Sequence, residues 1–75
     1  MLLLTRAEGK AGHRFELSRI DTDAHEARRR ALRAAELLAA LDTTGAWIGS
    51  RVTVNEASTG RLVCVVRIVG RRVTT

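Results

Sequence analysis

Two histidines, one cysteine and a run of arginines are the side chains in this sequence whose types suggest chemistry. A nucleophile needs a base, and that base needs a third group to orient it. His13 falls on a turn or strand start, His25 on a first helical turn, and Cys64 within a β-rich run where a small hydrophobe is expected. No third group is placed to orient either imidazole. Asp21, Asp23 and His25 alternate in a polar cluster, but Asp23 is better explained as a helix cap, and a hard cation needs more oxygens than these supply. The sequence therefore predicts no catalytic residue, no metal site and no cofactor, and a non-enzymatic protein.

The arginines point to binding. Thirteen basic residues, twelve of them Arg, oppose eight acidic ones for a formal net charge of +5, which favours encounters with phosphate. Their distribution is uneven: residues 46–75 carry five basic side chains and only Glu56 as an acid. Arg51, Arg61, Arg67, Arg71 and Arg72 are the first candidates for nucleic-acid contact. Within EARRRALRAAELLAAL, consecutive arginines fan around a helix, and only Arg29 and Arg33, four apart, point together. Those two are secondary contacts, since Glu26 and Glu36 share their surface and pair at i+3 and i+4 spacing.

The elements that must hold these residues follow from periodicity. Leu2 to Arg6 and GHRFELSRI read as strands joined through AEGKAG, with Phe15 and Leu17 on one face. Asp23 is the expected N-cap of a helix over residues 24–42, with Glu26 at capping-box spacing. Its apolar stripe is Ala24, Ala27, Ala31, Ala34, Leu38 and Leu41, widened by Leu37 and Ala35. AWIGSRVTV places Ile48, Val52 and Val54 in phase, NEASTG forms a loop, and RLVCVVRIVG places Leu62, Cys64, Val66 and Ile68 on one face. The tail RRVTT is either loose or an extension of the last strand.

The expected fold is α+β, in the order β-β-α-β-β: one amphipathic helix packed on one face of a four-stranded antiparallel sheet, forming a single small domain over residues 1–75. A hydrophobic share of 45% with one Phe, one Trp and no Tyr makes a thin aliphatic core. A single cysteine forms no internal disulfide, and with no export signal or long apolar run the expected location is the cytoplasm, away from membranes.

Strict alternation puts Val63, Val65 and Val69 on the face opposite the helix, where polar residues are expected. A second apolar row needs a second cover, and homodimerisation is the simplest one. Trp47 has two readings. On the outer row with Thr53 it would stack on a base or join the interface; at the helix-to-sheet junction it would close the core, which a Phe-poor chain favours. The leading functional expectation is a nucleic-acid-binding (DNA or RNA) regulatory or accessory module. The alternative is a protein-interaction or structural assembly subunit that binds through its apolar sheet face.

Overall fold

Asp23 starts the helix as its side chain predicts. In the computed structural model, which describes residues 1–70 and 72–74, α1 spans Ala24–Leu41. The Asp23 backbone is extended, and its carboxylate accepts the Glu26 N–H at 2.8 Å, satisfying one of the donors a helix start leaves open. Among the described residues only this arm of the capping box forms. The Glu26 carboxylate instead accepts from Arg29 and Arg30, both at 3.2 Å.

Beyond α1 the chain stops being regular because its N–H groups are taken. Asp42 accepts from the backbone N–H of Ala46 at 3.0 Å and of Trp47 at 2.9 Å, and Ile48 donates to the Gly45 carbonyl. Residues 46–49 are thus a turn, not the start of a strand. Ile48, expected in phase with Val52 and Val54, is exposed.

Five strands form one antiparallel sheet: β1 Leu2–Glu8, β2 Arg14–Asp21, β3 Arg51–Glu56, β4 Leu62–Val69 and β5 Arg72–Thr74. Their order is β2-β1-β3-β4-β5. β1 and β2 make a hairpin, α1 carries the chain from the β2 edge to the far side of β1, and the last three strands meander. The expectation of four strands is corrected by the tail. Gly70, at φ +63°, reverses the chain so that Ile68 pairs with Val73 and Val69 with Arg72. Val73 gains partial burial against the core, which a loose tail would forgo. Arg71 lies outside the described residues.

Helix and sheet meet through unequal partners. The sheet contributes Leu3, Val52, Val54, Val66 and Ile68, each about 1% exposed or less, and the helix contributes Ala27, Ala31, Ala35 and Ala39. Each fully buried aliphatic of this size stabilises by roughly 1.5–3 kcal/mol. The alanines form an i, i+4 row, so the buried stripe is turned by about 60° from the one predicted. Leu41 at 77% and Leu37 at 53% exposure lie off it. Volume explains the turn: methyl groups let the helix backbone settle on a sheet already bulky with Val and Ile, where a central row of leucines would hold it away.

Two register shifts overturn strict alternation. One lies between Thr5 and Arg6 against β2, the other between Val54 and Asn55 against β4. At the second, Cys64 pairs with Val54 and Leu62 with Asn55, leaving Val63 as the extra residue. Leu62, expected in the core, is 54% exposed, while Val63 packs against the helix-side core. The three-valine outer row is therefore broken. Val65 is half-buried opposite Thr53, and only Val69 is well exposed.

Candidate functional site

The predicted basic contacts do not share one surface. Arg51 opens β3 and stands directly opposite Arg67 of β4. Arg61 precedes β4 at the other end of the same hairpin, where it pairs with Glu56 at 3.2 Å. Arg29 and Arg33 are exposed on α1, across the molecule from the sheet's open face. Arg72 lies exposed on the edge strand β5. Several of these cations already hold carboxylates: Arg51 donates to Glu8 at 2.8 Å and Arg29 to Glu26 at 3.2 Å. Pairs of this kind at an exposed surface stabilise little, yet they lower the net field a phosphate backbone would meet.

Trp47 is on the helix side. It packs partly buried against the core, and the Phe15 ring meets it edge to face with centroids 6.2 Å apart. The outer-row placement beside Thr53 is corrected by the turn at residues 46–49, which takes Trp47 out of strand alternation altogether. Phe15 belongs to β2, pairs with Ala7, and remains 52% exposed.

The reason for that exposure is where the helix lies. α1 packs over β3, β4 and β5 and reaches the margin of β1, but does not extend over β2. The edge strand β2 therefore shows Phe15 and Leu17, both with large apolar exposure, and a row of backbone groups without a neighbouring strand. Near Trp47 the exposed Ile48 follows in the turn, and Leu41 ends the helix just before the Asp42 clamp.

The face of the sheet away from the helix is more polar than alternation implied. Leu4 is nonetheless only 5% exposed there. At one end of this face, the β1–β2 turn and the start of β3 enclose a cleft of about 570 Å³. Glu8, Lys10, Arg14, Arg51 and Arg67 line it. Glu8, Lys10 and Arg14 were missed as site residues by sequence reasoning. The signal available was the hairpin itself, whose register sets Glu8 opposite Arg14.

The residues considered for catalysis are dispersed. His13 is exposed on the hairpin and His25 on the first turn of α1. Among the described residues, no three His, Cys, Asp or Glu side chains cluster to hold a metal. Burial pushes the Cys64 thiol above its ordinary pKa, and the neighbouring Arg28 guanidinium, which pulls the other way, does not cancel that effect. Cys64 is thus poorly ionised at neutral pH and packs as a small apolar group. No helix among the described residues is long and apolar enough to cross a membrane.

Compared with protein-family models, curated proteins and solved structures, the chain matches none. A small α+β fold with a helix on an antiparallel sheet hosts many activities, so its own surfaces carry the functional reading.

Proposed function

We propose that the chain is a protein-interaction module or structural assembly subunit whose partner covers the apolar margin beside β2. One observation carries this reading: α1 stops short of β2 and leaves Phe15 half exposed, braced by Trp47. A rigid aromatic anchor next to an unpaired strand edge suits two modes of recognition at once. The ring fills a partner's pocket while the strand backbone extends a sheet. This surface replaces the outer-face valines as the site of association, and a second copy of the chain is the first partner to test.

Sedimentation across a concentration series, combined with amide exchange, tests it. Self-association with protection of the β2 amides, lost in Phe15→Glu, is the expected result. A monomer at every concentration, with unprotected β2 amides and no uptake of a hydrophobic dye, would sink the proposal.

The nucleic-acid reading keeps one specific support, the adjacency of Arg51 and Arg67. Under that reading, oligonucleotide binding falls steeply with salt, and neutralising Arg51 and Arg67 together weakens it far more than neutralising Arg28 and Arg30. Equal losses would reject this placement.

A further inference from the structure

The cleft at the β1–β2 turn is an electrostatic anomaly. Arg51 and Arg67 are cross-strand partners in the antiparallel β3–β4 register, so two like charges project from the same face of the sheet, where they oppose folding. Glu8 lies on the other side of Arg51 and is shared, at 2.8 Å from Arg51 and 3.9 Å from Arg14. Among the described residues, Arg67 and Lys10 make no ion pair. Four cations thus line a concave space around a single carboxylate.

The Lys10 side chain passes beside Gly49. Gly49 has φ +86°, and a Cβ built on it would sit 3.6 Å from the Lys10 Cδ, so the lysine stem lies across the glycine at the cleft wall. The Ile68 and Val69 side of the wall is aliphatic, and no aromatic ring lines the space. The cleft is broadly open to solvent, and its volume of about 570 Å³ leaves room for a small molecule, whose sites usually measure roughly 300–1,000 Å³.

We propose that this cleft binds a small organic oxyanion carrying at least two negative charges, either a phosphate ester or a polycarboxylate. Its charged groups bridge Arg51 and Arg67, with Lys10 and Arg14 at the mouth. Guanidinium forks match both phosphate and carboxylate oxygens in a bidentate fashion, and Arg67 makes no side-chain hydrogen bond or ion pair to any of the described residues. The ligand relieves the repulsion between the two opposed arginines. A polynucleotide is the poorer fit, because the cations converge in a recess at the end of the sheet and no ring is present on which a base could stack.

Calorimetric titration of the full chain with inorganic pyrophosphate, and separately with citrate, tests this assignment. Saturable one-to-one binding of either probe is expected, and the probe bound more tightly identifies the source of the oxyanion. Arg67→Ala should lower the affinity roughly tenfold, the scale of one lost charge-assisted contact, while Arg30→Ala on the helix leaves it unchanged. Glu8→Gln carries the sharper expectation. It removes the competing carboxylate and should tighten binding several-fold, a gain that damage to the fold would not produce. No saturable binding of either probe, an equal loss in Arg30→Ala, or weaker binding in Glu8→Gln each overturns the proposal. So does an oligonucleotide that binds more tightly than both probes and depends on Arg67.

Discussion

Arg51 and Arg67 stand directly opposite each other on β3 and β4, and Glu8 from β1 holds only the first of them. A cross-strand pair of like charges opposes the sheet that creates it, so Arg67→Glu should stabilise the fold. The expected gain is roughly 0.2–1 kcal/mol at low salt, shrinking as salt is added. Urea midpoints at two ionic strengths measure it, and a loss of stability at low salt would contradict the pairing.

Asp23 carries the start of α1 through a single side-chain acceptor. Asp23→Ala should cost about 1 kcal/mol, and Asp23→Asn much less, because the amide oxygen still reaches the Glu26 N–H. Equal losses for the two substitutions in chemical denaturation would mean that the carboxylate acts by something other than capping.

Ala31 and Ala35 sit at 0% exposure between the helix backbone and the sheet. Ala31→Leu should destabilise by about 1–3 kcal/mol through overpacking, although leucine is a good helix former. Leu41→Ala, at an exposed position, should change stability by less than about 0.5 kcal/mol. A leucine tolerated at position 31 would show that the seat is looser than the buried alanine row implies.

Asp42 predicts a pH dependence. Desolvation by its surroundings acts to raise its pKa, and the N–H groups of Trp47, Ala46, Gly45 and Thr44 outweigh that effect and hold it below the ordinary carboxylate value. A folded-state pKa below the unfolded one means that Asp42 contributes stability above the unfolded value, and that this contribution is lost as pH falls through the folded one. Wild type should therefore lose stability on acidification that Asp42→Asn does not lose. Parallel urea titrations from neutral to strongly acid pH would show it, and identical acid losses would refute it.

Local chemistry made much of this fold legible. The cap at Asp23 and the helix-forming run that follows placed α1, and the apolar and β-branched segments before and after it located four of the strands, although β3 starts at Arg51 and not within AWIG. Such signals act between residues close in sequence and need no knowledge of what packs above them.

Packing decided the remainder. Which stripe of α1 faces inward depended on the volume of the valines beneath it, and that choice buried Ala35 and Ala39 while exposing Leu37 and Leu41. The shift after Val54 sent Val63 inward and Leu62 outward, because one unpaired residue reverses every face beyond it. Trp47 moved to the helix side once Asp42 claimed its N–H, and residues 72–74 became a strand once β4 offered them an edge. The cleft gathers its cations from three strands and a turn far apart in sequence, so the charge pattern named Arg51 and Arg67 without joining them to Lys10 and Arg14. Sequence alone determined the helix and four of the strands; mutual contact, which sets volume and register, determined the fifth strand and the surfaces the elements present.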